Sequence, residues 1–170
     1  MRNDLENIFL GRINRERLIS RIQNDSKEFK ECIKIAASTN QPQAWRATWI
    51  LNHAFNENDD RVTKYFPQLF HVLENTIDGH QREILKLLSK INLKEEQEGL
   101  MFDVSLNIWE SVGKIPSVRI EAFRFLARIA GKYPELKNEL KFVLQEHYLE
   151  PLSPGIRRSV RKIWKELDKE

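Results

Sequence analysis

Apolar residues recur along this chain at intervals of three and four, the spacing that gathers them on one face of an α-helix. Leu18, Ile19 and Ile22 predict a short helix over Asn14 to Gln23. Asp25-Ser26-Lys27-Glu28 then reads as a capping signal, because an aspartate side chain can accept from the unpaired N–H groups of a first turn. The helix behind it runs to about Ser38, with Phe29, Cys32, Ile33 and Ala36 on one side. Asn40-Gln41-Pro42 breaks the chain, and a tryptophan-rich helix follows to about Phe55. Asn56 to Asp60 is a polar loop. The next helix, Arg61 to Glu74, contains Pro67, which either kinks it or marks a late start. Further helices are expected over Gly79 to Ile91, Lys94 to Val112, Val118 to Ala130, Pro134 to Tyr148 and, behind the Ser153-Pro154 cap, to Leu167. Glu95, Glu96 and Glu98 open the second of these helices where the helix dipole favours acids, and Gly131 is a natural stop for the third. This gives about nine helices, and no segment has the period-two alternation of a strand.

The helices repeat. Gln81 to Ile91 aligns with Arg119 to Ile129, apolar on apolar and basic on basic, with Glu83 opposite Glu121. Arg157 to Leu167 fits the same template through Val160, Ile163, Trp164 and Leu167, and Arg46 opens a looser copy with Trp49 and Ile50 in register. Each such helix, B, follows another amphipathic helix, A, marked by Phe29, Ile33 and Ala36, by Phe66, Leu69, Phe70 and Leu73, by Phe102, Leu106 and Trp109, and by Leu140, Phe142, Val143 and Leu144. One pair cannot bury its apolar face alone, so neighbouring pairs must stack.

Val118-Arg119, Ile156-Arg157 and Trp45-Arg46 each open a B helix with an apolar and then a basic residue, and Pro67 stands fourteen residues before Gln81. These features resemble the HEAT/armadillo-like family of α-solenoids. Gln81 replaces the basic residue in one repeat, that repeat alone has the proline, and Asn40 and Asn75 stand where the family has a turn aspartate. The resemblance implies an all-α fold: a right-handed α-α superhelix of about four helical hairpins with an N-terminal capping helix. Residues 1–170 form one domain on this reading, with 1–24 as the capping segment and 25–168 as the four pairs.

Composition adds constraints. Apolar residues make up 41% and charged residues 31% of 170 positions, which suits helices with wide solvent-facing stripes. The net charge of +3 is only mildly basic, so any electrostatic function depends on clustering. Cys32 is the single cysteine and lies in an apolar run, as an inert buried thiol does. The acids in Met1-Arg2-Asn3-Asp4-Leu5-Glu6 are unlike a signal peptide, and the expected location is cytoplasmic.

Counted from Gln81, Arg119 and Arg157, offsets 3, 4, 6, 7 and 10 form the apolar face, while offsets 5 and 9 lie nearly opposite. Those two hold Lys86 and Lys90, then Arg124 and Arg128, then Lys162 and Glu166. In HEAT-like solenoids B helices line the concave surface, so the resemblance implies a basic concave stripe, extended by Arg82, Arg158, Arg161 and Lys165. The same residues could equally be an ordinary solvated face, with Glu83 and Glu121 near enough to pair with some of them. Arg46, Arg119 and Arg157 sit at the edge of the apolar face, where they would satisfy carbonyls or acids between repeats. Trp45, Trp49 and His53 share a face and make either core or an aromatic pocket. Leu51 and Phe55 occupy offsets that are basic in later repeats, so the leading helix covers them or they form a contact patch.

No catalytic motif, phosphate-binding glycine loop or metal-ligand spacing is present; His53, His71, His80 and His147 stand apart from cysteines and acids at ligand spacing. The expectation is a non-enzymatic scaffold without cofactor, membrane segment or small-molecule substrate, binding a protein partner through an acidic surface or segment. The alternative is DNA or RNA binding on the basic face, as in the DNA alkylation-repeat glycosylases of the same solenoid class. Assembly with itself, or within a larger complex, is a third possibility.

Overall fold

Side-chain caps fix several helix starts. Asn14 Oδ1 accepts from the N–H of Arg17 at 3.1 Å, and Asp25 Oδ1 accepts from those of Lys27 and Glu28 at 2.7 and 3.2 Å. The Gln97 carboxamide oxygen accepts from the N–H of Lys94 at 3.0 Å. Ser153 accepts from Ile156, with Pro154 in the first turn. The computed structural model describes residues 4–57 and 59–169; the readings above that involve Met1, Arg2, Asn3 and Asn58 lie outside the described residues. The described residues form twelve α-helices and one short 3-10 helix, and no strand. The chain is all-α.

Two compact units divide at Asn92 and Leu93. The first holds α1 (Asp4–Leu10), α2 (Arg15–Asn24), α3 (Ser26–Ala36), α4 (Gln43–Ala54), α5 (Asp60–Thr63), α6 (Phe66–Leu73) and α7 (Asp78–Ser89). Helix α4 packs on α3 and α7, α6 packs on α7, and α1 and α2 lie against α4 and α3. Thus the two B helices of this unit, α4 and α7, are neighbours. The leading segment contains two helices where one was expected: Leu5 and Phe9 of α1 and Leu18 and Ile22 of α2 are all buried. Pro67 marks a late start, since it lies in the first turn of α6 and α5 is a separate turn before it.

Leu51 and Phe55 are buried, so they are core and not a contact patch. The Gln23 amide donates to Ala54 O at 2.7 Å, tying α2 to the end of α4. Phe29 packs edge-on to Phe55, and the Arg61 guanidinium lies 4.5 Å from the Phe55 ring centre. Trp45 and Trp49 are half-buried: Trp45 lies beside Gly79 at the start of α7, and Trp49 packs on the exposed ring of His53.

The second unit holds α8 (Glu95–Glu110), α9 (Pro116–Lys132), the 3-10 helix Pro134–Leu136, α10 (Lys137–Phe142), α11 (Glu146–Leu149) and α12 (Pro154–Leu167). Helix α9 is its centre, contacted by α8, the 3-10 helix, α10 and α12. Two expectations are corrected here. Gly131 does not stop α9, which runs one residue further and ends before Pro134; Gly131 instead packs on Leu167 of α12. The segment Pro134 to Tyr148 is not one helix. It breaks at Val143, whose carbonyl accepts from Trp109 Nε1 at 2.7 Å, and Arg119 Nη2 donates to Tyr148 O in α11, also at 2.7 Å.

One polar cluster ties the first unit together. Gln41 accepts from the Trp45 N–H through its carbonyl oxygen, which turns its amide nitrogen to His80 Nδ1 at 3.0 Å. An amide nitrogen only donates, so His80 Nδ1 accepts and Nε2 carries the proton. That Nε2–H donates to Thr48 Oγ1 at 3.0 Å, and Thr48 donates onward to Ala44 O. Thr76 Oγ1 also lies 2.9 Å from Nδ1. His80 is fully buried, and burial pushes its pKa down to about 4. In the unfolded chain a histidine titrates near 6.5. The unfolded state therefore takes up the proton first as pH falls, and stability declines from about pH 6.5 down to pH 4, by about 3 kcal/mol at most. Urea denaturation at pH 7 and pH 4.5 should show this fall, and His80→Leu, although less stable at pH 7, should reduce its size. Equal falls in both proteins would contradict the neutral buried imidazole.

Candidate functional site

The B-helix cations divide by what they touch. In the first unit, Glu83 of α7 is buried and sits among donors: Arg82 at 2.9 Å, Lys86 at 3.4 Å and the Asn52 amide of α4 at 3.0 Å. Lys90 is not on a solvent stripe. Its ammonium donates to Asn52 O at 2.6 Å and to Phe55 O at 3.4 Å, closing the C-terminal end of α4, and burial lowers its pKa. Arg82, Lys86 and Lys90 are therefore held by one buried acid and one helix end.

Helix-opening side chains share this capping role. Arg46 donates to Phe9 O and Gly11 O at 2.8 and 3.1 Å, at the end of α1. Gln81 donates to Leu73 O at 2.8 Å, at the end of α6. Arg119 is fully buried, donates through Nε to Trp109 O at 2.9 Å and lies over the Trp109 ring. Arg157 meets an acid instead, Glu146 at 3.9 Å.

The second unit exposes more of its cations. Arg124 and Arg128 of α9 are exposed; Arg124 pairs with Glu121, and Arg128 covers the Phe125 ring at 4.9 Å. Both border a groove of about 520 Å³ between α9 and α12, whose other lining side chains include Ala127, Ile163, Glu166 and Leu167. On α12, Arg158, Arg161, Lys162 and Lys165 are exposed. Arg161 reaches Glu146, and Lys162 reaches Glu166, only at 3.9 Å. The reason is legible in the repeat. At offset 2, α7 has Glu83 and α9 has Glu121, each three residues before the cation at offset 5. In α12 that position is Ser159, so Lys162 lacks the internal acid.

Sequence reasoning missed a second groove in the same unit. It measures about 370 Å³, lies along α8, the end of α9, the 3-10 helix and α10, and has Phe102, Ile129 and Leu136 in its lining. Glu95, Asp103, Glu135 and Glu139 border it, all exposed. At its edge, Glu98 accepts from Lys132 and from the Tyr133 hydroxyl. Burial alone would raise the Glu98 pKa, but these hydrogen bonds outweigh it and hold it low. Glu95 and Asp103 both lie on α8, whereas Glu135 belongs to the 3-10 helix and Glu139 to α10, and Glu95 also reads as ordinary dipole compensation.

The family model of the HEAT repeat domain matches residues 1–167. The chain belongs to the HEAT-repeat family. No curated protein and no solved structure matches it. HEAT repeats generally serve as protein-interaction scaffolds and are typically non-enzymatic. Among the described residues, no group of three or more His, Cys, Asp or Glu is arranged to hold a metal ion, and no helix is long and apolar enough to cross a membrane.

The two lysines of α7 give a direct test of this division within a HEAT repeat. Lys90→Met leaves part-buried carbonyls at the end of α4 without their donor and should cost about 1–3 kcal/mol in chemical denaturation. Lys86→Met removes a partly exposed ion pair and should cost less than about 1 kcal/mol. Equal losses would show that Lys90 is an ordinary surface cation.

Proposed function

We propose that this chain is a non-enzymatic interaction module that binds an acidic segment of a partner protein on the cationic faces of its B helices. Membership of the HEAT-repeat family supports the general role. The observation that carries the specific one is the groove between α9 and α12, where Arg124 and Arg128 flank a lining of Ala127, Ile163 and Leu167. An apolar lining beside guanidinium groups suits a segment that alternates carboxylates with apolar side chains. Arg158, Arg161, Lys162 and Lys165 enlarge the positive field on α12. In the first unit, Arg82 and Lys86 are held by the buried Glu83 and Lys90 by the end of α4, so the reading rests on the second unit by itself. A reducing cytoplasmic setting suits the buried thiol of Cys32, whose pKa burial raises.

The test is fluorescence anisotropy with a labelled amphipathic peptide rich in Glu and Leu. Arg124→Glu with Arg128→Glu should weaken binding at least about tenfold, equivalent to roughly 1.4 kcal/mol. Lys27→Glu, an exposed change in the first unit, should leave it unchanged. Loss of peptide binding together with a duplex DNA complex whose affinity falls steeply with salt would replace this reading by the nucleic-acid one.

A further inference from the structure

We infer that the acidic partner of this surface is a second copy of the chain, joined head to tail: the outward face of α12 in one copy seats in the carboxylate-rimmed groove of α8 and α10 in the next. The inference rests on the reading above, since it names an occupant for the α12 cations that enlarge the positive field there, Arg158, Arg161, Lys162 and Lys165. All the residues concerned belong to the second unit.

The receiving groove has an apolar lining and a charged border. Phe102, Ile129 and Leu136 line it, and Gly99 leaves one wall open, because a Cβ there would meet nothing within 4 Å. Glu95, Asp103, Glu135 and Glu139 make no ion pair or hydrogen bond among the described residues. The Glu98–Lys132 pair is internally satisfied, so it does not discharge them. Four exposed carboxylates around an apolar lining favour a partner that brings cations beside an apolar surface.

Helix α12 carries such a surface. Arg158, Arg161, Lys162 and Lys165 follow the i, i+3, i+4, i+7 spacing and share one face. The half-buried Trp164 lies at the edge of that stripe, next to Arg161 around the helix. The dimensions agree. Arg158 to Lys165 spans about 11 Å along the helix axis, and Glu95 to Asp103 about 12 Å along α8, at 1.5 Å per residue.

One copy cannot fill its own groove. On α9, Ile129 faces the acidic groove, as does Tyr133 just after the helix, whereas Arg124, Ala127, Arg128 and Gly131 face α12. At about 100° per residue these two sets lie on different sides of the helix. Donor and acceptor surfaces are therefore separate, the contact is heterologous, and each added copy presents a fresh groove or a fresh α12 face.

Sedimentation of the full chain tests this. At about 50 mM salt the weight-average mass should rise with protein concentration through the micromolar range, and at about 500 mM salt the rise should shrink as exposed charges are screened. Glu135→Lys with Glu139→Lys spoils the groove and spares α12; Arg161→Glu with Lys162→Glu does the reverse. Each variant alone should stay monomeric, with association weakened at least tenfold and circular dichroism unchanged. Their mixture should form a one-to-one dimer that grows no further, because one intact groove and one intact α12 face remain between them. A wild-type chain that stays monomeric at low salt, association indifferent to both variants, or a mixture without dimer overturns the inference. If the monomeric chain still binds the acidic peptide through Arg124 and Arg128, the interaction surface stands and only its occupant is wrong; if it binds neither, both fall.

Discussion

Each α-helix ends on carbonyl groups that have no donor within the helix, and a chain built of short helices must satisfy many such ends away from water. Here the donors come largely from neighbouring helices. Arg46 closes α1, Gln81 closes α6, Lys90 closes α4, and Arg119 serves the end of α8 while also reaching Tyr148 in α11. A long side chain that donates to a neighbour's last carbonyls fixes where that neighbour stops and how it lies. Charge and helix dipole add to the hydrogen bond when the donor is Lys or Arg. The apolar face supplies most of the burial, but these donors specify the register in which the faces meet.

That constraint explains why the cationic pattern in the sequence is easy to find and harder to interpret. Lys86 and Lys90 recur in register with Arg124 and Arg128, and the four look alike on a helical wheel. Only three-dimensional packing separates Lys90, which points at the end of α4, from Arg128, which stays exposed over Phe125. The repeat itself was legible because apolar offsets are set by burial: Ile84, Leu85, Leu87 and Leu88 in α7, Ile91 just beyond it, and their counterparts in α9 are all buried. In α12 the same template loosens. Val160 and Leu167 are buried, Ile163 and Trp164 are half-buried, and Arg161 is exposed at an offset that is apolar in α7 and α9.

The features that were not legible share a cause. Helix α1 is too short to display a period, and its Leu5 and Phe9 gain meaning only against α3 and α4. The break between α10 and α11 falls at Val143, whose carbonyl accepts from Trp109, more than thirty positions earlier in the chain. Gly131 has the chemistry of a helix stop but serves close packing against Leu167, and Pro134 sets the end instead. For α1 and for the α10–α11 break the partner lies far away in the chain, and local propensity alone carries no record of it.

The acids are distributed as regularly as the cations. Glu83 and Glu121 recur at the same offset, and each lies three residues before a cation, so α7 and α9 carry their own counter-charges. Ser159 interrupts that arrangement in α12, leaving its cations with acids no closer than 3.9 Å. On the other side of α9, Glu95, Asp103, Glu135 and Glu139 stand without cations. The second unit, nearly balanced in total charge, thus carries loosely paired cations on α12 and unpaired carboxylates on the other side of α9. Such a separation gains nothing in stability, since exposed like charges repel at short range and are screened beyond about 10 Å. Its physical consequence is an orienting field across α9, which favours partners that present opposite charge at matching spacing and disfavours those that do not.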